Sequence, residues 1–371
     1  MNWSAGLMLV LSFLLSFVVV YFSIPSIVKV SHLKGLFDSP GHRKCHSHDI
    51  PNLGGISIFA GVVMSAALFT SSAINNEFML LIAGMTVLFF IGIKDDILVI
   101  DPNKKLWGEI VAILILVLLG NVRFTSLHGF LGIYTMNPYA GIVLSIFVMI
   151  VIVNSFNLID GIDGLASGVG ILISTTLGIW FFLVGNLNYA VLSAALAASL
   201  IAFFRYNVFG GTHKIFMGDT GSLIVGFVIG MLVIRFNEIN AVYKGVYAIK
   251  SAPAVSFGIL IIPLFDTMRV FLIRILRGRS PFRADKNHLH HRLLLLGFTH
   301  IQSTAIIVSV NLVFILIALA FASVGIVKLM IINLSIAILL MSFTEAYIRI
   351  RHRKRHLDAL NRYNHSPAKT A

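Results

Sequence analysis

The chain has 371 residues, of which 58% are hydrophobic and 12% charged, and its formal net charge is +13. A soluble domain is nearer half apolar and a quarter charged, so a soluble globular fold is excluded and lipid must solvate much of the surface. The alternation expected of barrel strands is missing, and the lone Cys45 excludes an internal disulfide or a cysteine metal site.

Apolar runs predict an all-α polytopic membrane protein with about 10–11 transmembrane helices. In chain order they cover residues 5–28, 54–69, 78–93, 107–119, 140–153, 164–184, 189–204, 220–234, 254–273, 304–323 and 327–348. The first run has no basic n-region and no small-residue cleavage site, so it is expected to be a retained span and not a cleaved signal peptide. Residues 1–348 form one transmembrane catalytic domain in this reading, and 349–371 a basic cytoplasmic tail. No internal repeat or soluble domain is visible.

The loops between these runs alternate sides. One set comprises 29–53, 94–106, 154–163, 205–219, 274–303 and 349–371, and it carries 22 of the 28 Lys and Arg residues. The other set holds Arg123, Arg235, Lys244, Lys250 and Lys328, and Arg269 lies inside a run. Cytoplasmic loops are enriched in Lys and Arg, so the first set is expected inside, with the N-terminus outside and the C-terminus in the cytoplasm. This asymmetry accounts for most of the positive charge without nucleic acid. The tail from Arg349 to Arg355 reads as a stop-transfer segment and anchor to anionic membrane lipid.

Polar side chains at membrane depth are costly and mark function by default, and nearly all fall on the predicted cytoplasmic set. Asp95 and Asp96 close the third run, where paired carboxylates can hold a divalent cation or do acid–base work; a solvated pair beside Lys94, Lys104 and Lys105 is the alternative. Between two runs, Asn154 to Gly164 presents two amides and the carboxylates Asp160 and Asp163 with no Lys or Arg to neutralise them, a set suited to ligand binding. Asp219 precedes the eighth run, where a helix N-terminus favours anions and an acidic cap. Phe216, nearby, is open to packing or base stacking. His288, His290 and His291 follow Arg277, Arg279, Arg283 and Lys286 in the longest of these loops. These basic residues suit phosphate oxygens, while Leu293 to Leu296 also suits a membrane-surface element. Acids that bind Mg²⁺ and bases that bind phosphate, gathered on one membrane face, point to phosphate chemistry on a substrate with an apolar tail.

In this order the motifs resemble those of the polyprenyl-phosphate N-acetylhexosamine-1-phosphate transferases, in the WecA/TagO branch beside the MraY branch. The likeness runs from Arg43-Lys44-Cys45-His46 and Ile50-Pro51-Asn52-Leu53-Gly54-Gly55, through Lys94-Asp95-Asp96, Asn154 to Gly164 and Phe216 to Ser222, to His288-Leu289-His290-His291-Arg292. The resemblance implies an inner-membrane enzyme, often dimeric, with a cleft facing the cytoplasm. It would move a sugar-1-phosphate from a UDP-N-acetylhexosamine to undecaprenyl phosphate, release UMP, and so start a lipid-linked glycan such as O-antigen or teichoic acid. N-acetylglucosamine is the first expectation for the sugar. The implied roles are Mg²⁺, or Mn²⁺ in its place, on Asp219 and Asn157, and phosphate oxygens on Lys105 and on His288, His290 and His291. Phe216 would stack on uracil beside Gly218, Asp160 and Asp163 would order the nucleotide side, and Asp95 and Asp96 would serve the lipid phosphate. A Mg²⁺-dependent membrane prenyltransferase and a secondary transporter are the competing classes.

Overall fold

A computed structural model describes residues 4–37, 50–70, 76–278 and 287–364, with residues 352 and 354–364 described as backbone. The motif Arg43-Lys44-Cys45-His46 and the basic residues Arg279, Arg283 and Lys286 lie outside the described residues. Within them the chain is helical, with one isolated bridge between Phe130 and Ile133 and no longer strand.

The helices are α1 (Ala5–Lys34), α2 (Gly54–Phe69), α3 (Asn76–Leu98), α4 (Pro102–Leu114), α5 (Pro138–Ile159), α6 (Leu165–Leu183) and α7 (Leu187–Phe209). They continue with α8 (Gly218–Val242), α9 (Ala252–Ile259), α10 (Ile261–Leu276), α11 (Leu289–Leu295), α12 (His300–Ala320) and α13 (Ile326–Asn364). Eight of them, α1, α3, α5 to α8, α12 and α13, are long and apolar enough to cross a bilayer, and the chain is a multi-pass membrane protein. The other three expected runs are also helical. Residues 54–69 are α2, and 107–119 are α4 prolonged by a π-helical turn over Ile115–Leu119. The run 254–273, expected as one span, is instead broken at Leu260 into α9 and α10. Pro263 has no amide N–H to donate, so the helical hydrogen-bond ladder has a gap beside that break. The tail is not a separate element at its start, because α13 continues from the span to Asn364.

The core is built around α8. Its residues from Thr220 to Ile234 are buried on every side, the pattern of a helix apolar all round and enclosed by others. α5 and α3 flank it, and α2, α6 and α9 complete its surroundings. α3 and α8 run antiparallel and are clipped at both ends. At one end Arg235 makes two bonds to Glu77, at 2.8 and 2.7 Å, and Tyr189 adds a third at 3.0 Å. At the other end the carboxylate of Asp96 meets the start of α8.

α1, α2 and α7 form a second layer tied by serines. Ser12 Oγ lies 2.7 Å from Ser65 Oγ and donates to the Val191 carbonyl at 3.1 Å. One turn on, Ser16 Oγ lies 2.6 Å from Ser199 Oγ and donates to the Ala195 carbonyl at 2.7 Å. Small hydroxyl side chains let helices approach closely and bond across the interface where lipid offers no partner. Outward faces carry apolar side chains such as Phe22, Phe90, Phe147 and Phe343, as a bilayer requires.

Candidate active site

The motif residues meet at one end of α3, α4, α5 and α8. Each helix boundary there has a local cause. Asp101 accepts from the Asn103 N–H at 2.8 Å and Pro102 opens α4, a capped start that puts Lys105 in the first turn. Asn154 and Asn157, three apart on the last turns of α5, share one face. α8 starts at Gly218, whose φ of 71° is left-handed, a conformation open to glycine and strained for other residues. A Cβ there would also come within 2.0 Å of the Asn52 carbonyl oxygen and 2.7 Å of Asp96 Oδ1.

A strip of backbone supports that start. Phe216 N–H donates to the Pro51 carbonyl at 2.8 Å, and the Gly54 and Gly55 N–H groups donate to the Phe216 and Met217 carbonyls at 3.0 and 2.9 Å. α2 and α3 then close on α8 through near backbone contact. A Cβ on Gly55 would lie 2.2 Å from Gly221 N, and one on Gly92 would lie 2.3 Å from Thr220 Cα. The backbones that carry Asp95, Asp96 and Asp219 are thus held in close contact.

At the centre is the Lys105 ammonium. Asp219 Oδ1 lies 2.6 Å from it, Asp95 Oδ2 3.1 Å and Asn157 Oδ1 3.5 Å. The Asn157 amide also donates to Asp219 Oδ1 and, at 3.0 Å, to Ser222 Oγ. Asp95 is fixed from its other side, where Oδ1 accepts from the Ile100 N–H at 2.8 Å. Three oxygens from three helices therefore converge on one cation.

Asp96 stands apart from this convergence. Its Oδ1 accepts from the Asp219 N–H at 2.7 Å, and its Oδ2 accepts from the Thr220 N–H at 3.1 Å and the Thr220 hydroxyl at 2.6 Å. α8 has no capping side chain of its own, and Asp96 supplies the cap from α3. Both of its oxygens are engaged in holding Asp219 in place.

The acid loop after α5 divides in two. Asp160 is half-buried, and burial, followed by the charges of Asp219, Asp96 and Asp163, pushes it up to about 8. Burial also acts to raise Asp163, but hydrogen bonds from His300 and Lys214 and the charges of both hold it below the ordinary carboxylate range. Lys214 Nζ is 2.6 Å from Asp163 Oδ2, and the Thr304 hydroxyl donates to the Asp163 carbonyl at 2.7 Å. Asp163 thus ties α12 and the segment before α8 to the loop. The same Lys214 lies 5.8 Å from the centre of the half-buried Phe216 ring.

The histidines border the site at Gly161. A Cβ on that residue would come within 2.4 Å of His290 Nε2, so the imidazole packs on the loop between Asp160 and Asp163. Burial, then the neighbouring His291, pushes His290 down to about 3, and it is neutral at working pH. His288 is buried and its Nδ1 lies 2.9 Å from Asp266 Oδ2, away from the Lys105 cluster. His291 is half-buried, its ring centre 4.2 Å from that of His290.

Three buried polar positions had no role in the sequence reading. Glu109, one turn after Lys105, accepts from the Asn154 amide at 2.5 Å. Asp266 anchors His288 and accepts from the Leu289 N–H at 2.9 Å. Asn207 accepts from the Gly164 N–H at 2.6 Å and donates to the Ile215 carbonyl at 2.9 Å, joining two motif loops. Glu109 and Asp266 carried a signal, an acid within an apolar run. Asn207 follows an Arg-Tyr pair at a helix end, and nothing in its surroundings separates it from a solvated residue.

The donor set suits a hard divalent cation. Among the described residues no three His, Cys, Asp or Glu side chains group as a ready-made metal site. The Asp219 carboxylate and the Asn157 amide oxygen, beside a cation, are oxygen donors of the kind Mg²⁺ takes in phosphate-transferring sites.

The model of a family described as glycosyl transferase family 4 matches residues 78–237. The chain is 32% identical over 283 residues to the undecaprenyl-phosphate alpha-N-acetylglucosaminyl 1-phosphate transferase of Yersinia pestis, covering 75% of each protein. It is 30% identical to the Escherichia coli O157:H7 protein of the same name, over 75% of this chain and 74% of that one. A probable undecaprenyl-phosphate N-acetylglucosaminyl 1-phosphate transferase of Bacillus subtilis (strain 168) is 29% identical over 316 residues, 82% of this chain and 83% of the other.

Proposed function

This chain belongs to glycosyl transferase family 4, and from that premise we propose that it transfers N-acetylglucosamine-1-phosphate from UDP-N-acetylglucosamine to undecaprenyl phosphate, releasing UMP. The observation that carries the reading is the convergence of Asp95, Asn157 and Asp219 on the Lys105 ammonium at one end of the bundle. The names of the relatives supply the acceptor and the sugar, and membrane-spanning helices beside a charged cluster suit a substrate with a polar head and a long apolar tail. The product begins a lipid-linked cell-surface glycan. The enzyme sits in the inner membrane with this end toward the cytoplasm, on the side that carries 22 of the 28 basic residues.

In the reaction an oxygen of the lipid phosphate forms a bond to the β-phosphorus of the nucleotide sugar, and the bond from that phosphorus to the bridging oxygen breaks, leaving on UMP. The second pKa of a phosphate monoester is about 6, so the attacking oxygen is largely anionic near neutral pH and needs positioning more than deprotonation. Asp95, fixed by Ile100 and facing Lys105, serves the lipid phosphate, and Asp96 keeps Asp219 and the start of α8 in register. Lys105 passes from the carboxylates to a phosphate oxygen when the substrates enter. Mg²⁺, or Mn²⁺ in its place, would be held by Asp219 and Asn157 and would supply charge neutralisation on the diphosphate. Phe216 offers its ring to uracil beside Gly218, and Asp160 and Asp163 border the nucleotide. His290 packs on the acid loop at Gly161, His288 is held behind it by Asp266, and His291, the half-buried member of the three, reaches a phosphate oxygen.

The test is UMP release by the purified chain with undecaprenyl phosphate and a panel of UDP-sugars. UMP formed from UDP-N-acetylglucosamine, and only with the lipid phosphate present, is the expected result. A protein that binds no uridine nucleotide would instead be a prenyltransferase or a transporter.

A further inference from the structure

Away from the Lys105 cluster, α10, α11, α12 and α13 enclose an apolar cavity of about 190 Å³, with Phe265, Leu293, Ile307 and Phe314 in its walls. It shares Arg269 and Met341 with a second cavity of about 440 Å³ between α10, α11 and α13. The second cavity is lined by Arg269, Arg277, Arg292 and Arg349 against one acid, Glu345. Glu345 is already engaged, 3.1 Å from Arg292 Nε and 3.7 Å from Arg269 Nη1. Arg269 also reaches Asp266 at 3.2 Å and the Asn287 carbonyl, and Arg292 donates to Asn287 Oδ1 at 3.0 Å, yet the buried Nε of Arg269 has no hydrogen-bond partner among the described residues. Arg277 and Arg349 have no acidic partner among the described residues. Guanidinium groups gathered with too few carboxylates repel one another, and the planar fork of each suits phosphate oxygens.

The helices that line this pair of cavities also carry exposed apolar side chains, as a rim turned toward lipid would. Leu272 and Leu276 on α10 and Phe343 and Tyr347 on α13 are exposed beside it. We propose that this is a binding site for an anionic phospholipid of the bilayer, with its phosphodiester headgroup on Arg269, Arg277, Arg292 and Arg349 and part of an acyl chain in the apolar cavity. A phosphate joined to an apolar chain matches the sequence of surfaces from the arginines to Phe314. The polyprenyl-phosphate acceptor is a poorer match, because no residue lining either cavity comes from α3, α4, α5 or α8, and the acceptor phosphate has to reach the cluster those helices build. The site nonetheless bears on that cluster. Arg292 lies two residues beyond His290, which packs on Gly161, so a headgroup on Arg292 holds α11 against the acid loop.

The test uses the full-length protein in nanodiscs of phosphatidylcholine with or without phosphatidylglycerol, followed by detergent extraction and native mass spectrometry of the lipid retained. The wild type should keep phosphatidylglycerol in preference to phosphatidylcholine. Arg349→Gln, which removes one exposed guanidinium, and Ser342→Glu, which puts a carboxylate on the same wall, should each lower retention about tenfold. Both positions are exposed, and an unchanged melting transition in phosphatidylcholine checks that each variant is folded. Equal retention of the two lipids by the wild type, or wild-type retention in both folded variants, would overturn the proposal. Displacement of phosphatidylglycerol by undecaprenyl phosphate, one for one, would assign the site to the acceptor and overturn it equally.

Discussion

Lys105 Nζ lies 2.6 Å from Asp219 Oδ1, so the ammonium of α4 occupies the place beside α8 that the proposed metal cation would take. A divalent ion entering without substrate must displace it. Lys105→Gln removes the competitor, and Mn²⁺ should bind the substrate-free variant about tenfold tighter, a change of about 1.4 kcal/mol. Turnover should fall together with this gain, because the group that passes to the phosphate has been lost. Titration followed by electron paramagnetic resonance of free Mn²⁺ measures the affinity, and weaker Mn²⁺ binding in the variant would show that Lys105 supports the ion and does not compete with it.

Asp95 and Asp219 face the same ammonium but are assigned to different substrates. Asp219→Asn should weaken nucleotide binding under the proposed assignment, in which Asp219 would hold the diphosphate through the metal. Asp95→Asn should lower turnover by about 10²-fold or more while leaving nucleotide affinity nearly unchanged, as expected where an interaction is made mainly in the transition state. Calorimetry with the UDP-sugar beside steady-state rates separates the two. If the whole defect of Asp95→Asn is lost nucleotide affinity, its lipid-side role is wrong.

Asp96 carries three hydrogen bonds to the first turn of α8. Asp96→Ala is expected to lower stability by about 1–3 kcal/mol, the cost of leaving buried donors unpaired. Asp96→Asn keeps an acceptor oxygen and should lose less. Thermal unfolding in one detergent ranks the three proteins, and an alanine variant as stable as the parent would remove the capping role.

Asp160 gives a pH signature. Its folded-state value is raised from 3.8 to about 8, so the folded protein holds this proton more tightly than the unfolded chain does. The associated stability is complete below the unfolded value and is lost as pH rises through the folded one. Between about pH 4 and about pH 8 the metal-free, nucleotide-free protein should lose melting temperature and above that level off, and Asp160→Asn should flatten that decline. Parallel declines in parent and variant would assign the effect to other groups.

Much of the architecture was legible because lipid demands long apolar helices, and the run 54–69 coincides with α2 to the residue. The break at Leu260 was not legible, since apolar character continues across it and Pro263 is a type of residue that membrane helices often tolerate. For the site, residue types and spacing marked Asp95, Asp219 and the amide of Asn157, the family resemblance added Lys105, and folding gathers the three oxygens around the Lys105 ammonium. Sequence could not assign the division of labour between Asp95 and Asp96. Adjacent on the chain, the two point in different directions on α3, one toward Lys105 and the other into the end of α8, and that difference exists only once α8 is in place. Glu109 is marked in the sequence only by its setting in an apolar run, because its partner Asn154 lies 45 residues away.

The serine contacts of α1 bear on how the bundle is made. Ser12 and Ser16 of the first helix bond to groups 179 and 183 residues later in the chain. While α7 is still being synthesised, Ser16 lacks its later partners, and a hydroxyl without a cross-helix bond in lipid forgoes about 0.6–2 kcal/mol. α1 is therefore held at first through α2, where Ser12 meets Ser65, and is fully seated only once α7 has been made. A ribosome paused before residue 199 would present the insertion and quality-control machinery with α1 held by α2 alone, its Ser16 hydroxyl still without the partners that α7 brings.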